Sequence, residues 1–300
     1  MKKLFFALLY QAGLTRLFSW YYRRRVVFVC YHGVTENLTR DASNSKGLHV
    51  NAQRFARHMD FLQRRYHLTS LKQFIKARHN GDCLPDYSMV LTFDDGFRNF
   101  LTVAAPILAA RKIPATVFLI TDKAAERNGS SLEANWSSED DRRYLSWDEA
   151  RQLQRQGFEF GSHTCSHPAL LTISAAESRH ELKHSHDDLV DNLEVDTPAL
   201  SYPKGQYSNL LAVDASKVGY ACAVTTDRGP NEFDHDLFTL GRALIGDFDD
   251  EASLAVRVSG LRWTLVQILS VFRPSRPASP VRPVASVSKK YPDEIYEVHN

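Results

Sequence analysis

Met89-Val90-Leu91-Thr92-Phe93-Asp94-Asp95-Gly96 is the stretch from which the architecture of this chain can be read. Five apolar or β-branched residues follow one another without polar alternation, as in a strand covered on both faces, and the run stops at two carboxylates and a glycine. Runs of the same kind recur at residues 26–30, 116–120, 158–160, 199–202, 221–224 and 238–240. Between the seven runs lie patterns of helical period at 52–65, 71–78, 100–111, 147–156, 174–193 and 210–218. Ser146 with Glu149, and Ser174 with Glu177, are capping-box spacings that mark two of the helix starts. Strand alternating with helix predicts an α/β fold with a parallel sheet or barrel, and 300 residues at 43% hydrophobic content are enough for one large core.

The end of the 89–93 run carries the first candidate chemistry. Neighbouring residues at a strand end point in different directions, so Asp94 and Asp95 can take separate tasks, one binding a metal and the other acting as a base. Asp-Asp-Gly is also an ordinary turn sequence. The second feature weighs against the turn alone: after the run at 158–160 comes Gly161-Ser162-His163-Thr164-Cys165-Ser166-His167-Pro168. Two histidines at i and i+4 share one face of a helical turn, where both can reach one ion, and Cys165 between them reads as packing. Two imidazoles and a carboxylate leave coordination positions open for water and substrate, as in catalytic zinc sites.

With these residues in view, the chain resembles the polysaccharide deacetylase family, also called the NodB-homology or carbohydrate esterase 4 family. The resemblance extends over roughly Val26 to Leu254. Thr92-Phe93-Asp94-Asp95-Gly96 is similar to the family's first motif, which implies Asp94 as catalytic base and Asp95 as metal ligand. The segment from Ser162 to His167 is similar to the second, which implies His163 and His167 as the other ligands. The resemblance also implies an irregular (β/α)7 barrel, with the site at the carboxyl ends of the strands. The implied cofactor is a divalent metal, zinc first, with cobalt or nickel suiting the same ligands.

Two motifs depart from the family pattern. Ser201-Tyr202-Pro203-Lys204-Gly205 keeps the proline and glycine of the third motif but has serine at the arginine position, so the arginine that would steady the base is missing from this segment. Tyr202, Pro203 and Gly205 are the expected substrate-binding residues, with backbone donors near the developing oxyanion. The fifth motif's histidine is absent from residues 240–246. Tyr31-His32-Gly33-Val34 follows the first run instead, as in exopolysaccharide-type members, which makes His32 the candidate general acid. His180, His184 and His186 lie on a charged helix and read as a solvated face.

The remaining sequence bounds the setting. A net charge of +2 gives no reason to expect a nucleic-acid partner. Cys30, Cys83, Cys165 and Cys222 form no C-x-x-C pair, and Cys30 and Cys222 lie in apolar runs. Residues 1–25 read as an amphipathic, basic segment that suits a membrane surface or the side of the barrel, without a cleavable-signal pattern. Residues 26–255 are the expected deacetylase domain, 256–273 an amphipathic helix and 274–300 a disordered tail; 127–142 reads as a long loop near the site. The expected activity is removal of N-acetyl groups from a polysaccharide or oligosaccharide in exopolysaccharide or envelope metabolism, in the cytoplasm or at the inner membrane surface. The alternatives are a deacylase of a lipid-linked sugar and a carbohydrate-binding protein with a reduced site.

Overall fold

The structure, a computed structural model, describes residues 2–271 apart from 37, 39–46, 128–143, 196–197 and 228. In chain order, its first elements are α1 (Lys2–Gln11), α2 (Leu14–Tyr21), β1 (Val27–Tyr31), β2 (Val34–Thr35), β3 (Val50–Asn51), α3 (Ala52–Gln63), β4 (His67–Thr69), α4 (Leu71–Asn80) and β5 (Ser88–Phe93). Then come α5 (Ala105–Ala109), β6 (Thr116–Leu119), α6 (Thr121–Arg127), α7 (Trp147–Arg155), β7 (Glu159–Ser162) and α8 (Ala175–Leu193). The last are β8 (Ala199–Ser201), α9 (Asn209–Val218), β9 (Cys222–Val224), β10 (Arg242–Leu244), α10 (Glu251–Val258) and α11 (Leu261–Val271).

The main sheet runs β10-β1-β5-β6-β7-β8-β9, every pair parallel, with β4 added beside β5. Its two ends nearly meet. Val224 of β9 bridges Leu240, two residues before β10, and the Leu240 amide donates to Ala223 O at 3.1 Å. The fold is therefore the expected (β/α)7 barrel, irregular because this seam is a bridge rather than a full strand pair. All residues of β1 and β5 are buried, which is why these runs carry no polar alternation. Just before Asp94, Phe93 packs against the rings of Tyr31, Phe55 and Phe100 at centroid distances of 5.6, 5.8 and 4.8 Å, fixing the end of β5. Both expected capping boxes form, at Ser146 with Glu149 and at Ser174 with Glu177.

Several expectations need correction. The seventh strand lies at Arg242–Leu244 rather than 238–240, because a buried arginine interrupts the apolar pattern there. Asn231 pins the strand's approach: its side chain accepts from Gly241 N at 2.8 Å and donates to Gly241 O at 2.9 Å. The helix expected at 100–111 begins as a π-helical turn, Phe100–Ala104, before α5. Pro106 has no N–H to donate to residue 102, which breaks the regular ladder. Strands β2, β3 and β4 and helix α6 are too short to leave a periodic signal.

The terminal segments also differ from expectation. Residues 1–25 form two helices, and the helix expected at 256–273 is divided into α10 and α11 at Ser259 and Gly260. Gly260 has φ 81°, and a Cβ there would lie 2.5 Å from the Tyr22 ring, so the turn exists to let α2 approach. Phe6, Val256 and Leu261 are buried together, with Leu9, Leu14, Phe18 and Leu265 around them. Most of the expected 127–142 loop and all of the expected 274–300 tail lie outside the described residues.

Candidate active site

Four chain segments converge at the carboxyl ends of the barrel strands, Asp94 and Asp95 after β5, His163 and the following loop after β7, His32 after β1 and Ser201 at the end of β8, and the Arg242 side chain reaches them from the first position of β10. A backbone hydrogen bond from Asp94 N to Tyr31 O (2.9 Å) and another from His163 N to Leu119 O (2.7 Å) extend the sheet to the two key positions. Asp95 then turns away with φ 71°, a left-handed conformation rare for a residue with a side chain. That reversal sends the two adjacent carboxylates to different partners.

Asp94 is buried and accepts a two-pronged interaction from Arg242, Nη1 to Oδ1 and Nη2 to Oδ2, each at 2.7 Å. Ser201 Oγ adds a donor at 3.3 Å and Cys30 Sγ another at 3.4 Å. Arg242 uses its other donors on Thr225 O, Thr92 Oγ1 and Ser201 Oγ, at 2.9, 3.1 and 2.9 Å, so its five N–H groups are satisfied. Burial pushes the Asp94 carboxyl up, but the Arg242 guanidinium and then His163 outweigh it and hold the group ionised, well below the usual carboxylate range.

Asp95 faces the histidines. Its Oδ1 is 3.5 Å from His163 Nε2 and 3.8 Å from His167 Nε2. Three ligand atoms bound tetrahedrally at zinc-like distances would be roughly 3.4 Å apart, so this trio fits a divalent ion. His163 Nδ1 lies 2.7 Å from Ser201 O, an arrangement that places the proton on Nδ1 and leaves Nε2 for the ion. Burial lowers the His163 pKa, but the charge of Asp94, then the hydrogen bond and charge of Asp95, overcome it and raise it. Burial, then the neighbouring His163, push His167 down to about 4, which keeps it a neutral ligand near pH 7.

The two histidines do not share a helical turn, contrary to the reading of their spacing. The loop between them is irregular, and Thr164 and His167 have φ 67° and 62°. Their rings nevertheless come within 4.6 Å. Thr164 Oγ1 accepts from His167 N (3.1 Å), while one oxygen of Glu181, from α8, accepts from Cys165 N and Ser166 N at 2.9 and 3.0 Å. Ser166 Oγ donates to the other Glu181 oxygen at 2.6 Å. Cys165 itself is buried, as expected.

Residues 81–223, from before β5 to the middle of β9, match the family model described as polysaccharide deacetylase. Over that span the chain is similar to the polysaccharide deacetylase family. Among similar proteins, YxkH of Bacillus subtilis, which bears the name putative polysaccharide deacetylase, is 27% identical over 205 residues, covering 68% of each chain. The poly-beta-1,6-N-acetyl-D-glucosamine N-deacetylase of Escherichia coli is 26% identical over 239 residues, covering 68% of this chain but 34% of the relative. The chain therefore matches about a third of the length of that enzyme. In fold it is similar to the Streptococcus pyogenes deacetylase PplD, with a TM-score of 0.66 and 24% identity over 78% of this chain and 98% of that one. IcaB from Ammonifex degensii gives 0.62 and 19%, over 79% and 97%.

Against the family pattern, Arg242 and Glu181 are what sequence reasoning missed. The third-motif arginine is absent at Ser201, yet the barrel supplies a guanidinium from β10 to the same carboxylate, and Ser201 hydrogen-bonds both partners. A lone arginine inside an apolar strand run was the available signal, since arginine is almost never buried without a partner. His32 stands within 4.8 Å of both Cys30 Sγ and an Asp94 oxygen, measured from its ligating nitrogen. Its Nδ1 is buried without a hydrogen-bond partner among the described residues, and burial lowers its pKa against the pull of Asp95 and Asp94.

The expected substrate-binding trio is placed less favourably. Tyr202 is fully buried in an apolar cluster with Leu170, Leu182 and Leu211 and stacks on Tyr207 at 5.6 Å. Its side chain is a core group, a correction with a simple cause: strand alternation turns residue 202 away from Ser201. Pro203 and Gly205 form a tight turn in which Gly205 N donates to Tyr202 O at 2.8 Å, so this amide is not a free oxyanion donor. A Cβ on Gly205 would lie 2.0 Å from Thr226 Oγ1, which accounts for the glycine by packing.

Proposed function

We propose that this chain is a divalent-metal-dependent hydrolase that removes N-acetyl groups from an N-acetylated polysaccharide or oligosaccharide of the exopolysaccharide or cell-envelope type. The observation that carries the reading is the pairing of an Asp95, His163 and His167 trio, spaced for one ion, with a separate carboxylate, Asp94, kept charged beside it. A divalent ion there, zinc first and cobalt or nickel by the same ligand chemistry, would lower the pKa of a water and polarise the amide carbonyl.

The chain's own residues divide the remaining work. Asp94 takes the proton from the attacking water, and Arg242 keeps it ionised and aimed. His32 is the candidate donor to the departing amine; burial makes its protonated form a stronger acid than an exposed imidazolium. Ser201 O orients His163. Phe97 and Tyr144, stacked at 5.3 Å and partly exposed close to Asp95, offer an aromatic wall for a sugar ring. The poly-beta-1,6-N-acetyl-D-glucosamine specificity in relatives' names supports a polymeric amino-sugar substrate.

Asp94→Asn tests the assignment. Acetate release from N-acetylated oligosaccharides should fall by about 10²–10⁴-fold while bound metal, measured by elemental analysis, is retained. Undiminished release would remove Asp94 as the base. A wild-type chain that binds the oligosaccharide but releases no acetate with zinc, cobalt or nickel would favour a carbohydrate-binding role.

A further inference from the structure

The two ends of the chain fold together on one side of the barrel and leave an apolar surface uncovered. Helices α1 and α2 turn Phe6, Leu9, Leu14 and Phe18 towards α10 and α11. Their outward faces carry Leu4, Phe5 and Leu8 on α1 and Leu17 and Trp20 on α2, each at least 50% exposed, and α11 adds Leu269 at 60%. Outward positions at i and i+4 on α1, and i and i+3 on α2, make continuous stripes rather than scattered exposed residues. Exposed side chains of this size in one helical layer mark an interaction surface.

Charge identifies the occupant. Residues 1–35 contain six Lys or Arg and no Asp or Glu, and residues 252–292 contain seven and none. With a net charge of +2 for the whole chain, the barrel between these ends is net acidic. The exposed Lys3, Arg16 and Arg24 border the apolar stripes. An apolar face rimmed by cations complements the boundary between anionic headgroups and acyl chains. Among the described residues no helix is long and apolar enough to cross a membrane, so the fitting geometry is helices lying in the surface.

We infer that α1, α2 and α11 hold the protein peripherally on an anionic phospholipid surface. The attachment also sets the orientation of the barrel. Arg23 O, just after α2, accepts from Tyr87 N, and Ser19 contacts Tyr66 OH at 3.1 Å; Tyr66 and Tyr87 immediately precede β4 and β5. In α11, Thr264 lies 2.9 Å from Tyr22 OH. Helices α2 and α11 therefore sit at the amino ends of the strands, and the candidate site, at their carboxyl ends, opens away from the lipid towards a polymer in solution.

The test uses the full chain in co-sedimentation with vesicles of phosphatidylglycerol and phosphatidylcholine or of phosphatidylcholine alone. Wild type should pellet with the anionic vesicles. Leu17→Glu with Trp20→Glu should lower partitioning to both vesicle types at least about tenfold, since two apolar side chains leave the layer. Arg16→Glu with Arg24→Glu should lower partitioning to the anionic vesicles by about tenfold or more and leave the neutral ones unchanged. All four residues are exposed and remote from the site, so acetate release from a soluble oligosaccharide should not change, and failure of the proposed activity leaves this readout intact. Absence of wild-type binding, or wild-type binding by both double variants, overturns the inference. It is equally overturned by a lipid-free dimer that Leu17→Glu with Trp20→Glu dissolves, which would make a second copy the occupant, or by stronger vesicle binding on deletion of residues 272–300, which would make the chain's own tail the occupant.

Discussion

Asp94 sits in a closed net of charged hydrogen bonds, whereas the 163–167 loop opposite it is held by left-handed backbone, one glutamate and the amides of Thr121 and Asp122. The first arrangement joins β5 to β10, 148 positions apart in the chain, through groups that are all buried. The second is fastened along its backbone: Thr164 and Glu181 hold its amides, and Thr121 N and Asp122 N donate to Thr164 O and Cys165 O, each at 3.1 Å. The difference matches the demands of the roles proposed for each side. A base must stay charged out of water, which requires a counter-charge. Metal ligands need their nitrogens aimed at one point, which backbone conformation can achieve, and an ion then supplies the charge.

The contrast can be broken most severely at Arg242. Arg242→Met leaves the Asp94 carboxylate buried without its cation and should cost about 3–5 kcal/mol of folding stability, measured by urea denaturation, together with loss of acetate release. Retention of full stability would mean that water or another cation replaces the guanidinium, and the closed net would not be the organising feature.

Glu181→Ala attacks the other side. Two backbone amides and the Ser166 hydroxyl lose their acceptor, so stability should fall by about 1–3 kcal/mol and zinc affinity by about 10–100-fold, read by competition with a chelating dye. The selective effect on metal sharpens the comparison. Equal metal affinity would show that the left-handed backbone at Thr164 and His167, with the amides of Thr121 and Asp122, suffices to fix the loop.

Ser201→Ala should have the smallest effect. It removes the hydroxyl shared by Arg242 and Asp94 but keeps the carbonyl on His163, so about 1 kcal/mol of stability and a several-fold drop in turnover are expected with unchanged zinc binding. Weaker zinc binding in this variant would show that the two sides are coupled through β8.

Much of this was legible in the sequence. Asp94, Asp95, His163 and His167 stand where buried strands stop, and strand ends gather in space once the barrel forms. The spacing of the histidines was legible but its conformation was not, since i, i+4 describes a helical face only if the segment is helical. Glu181 was obscured by its charged helix, and Tyr202 by a motif that does not state which way its ring turns.

Local pattern alone determined the alternation of strand and helix and the helix caps at Ser146 and Ser174, because each depends on neighbours within one element. Tertiary structure decided the partner of Asp94, the retreat of Tyr202 into the core and the gathering of the two chain ends into one helical layer. These rest on contacts between residues distant in sequence. The pairing of a buried charge with its counter-charge is settled by which strands lie side by side, and that order is a property of the closed barrel rather than of any one segment.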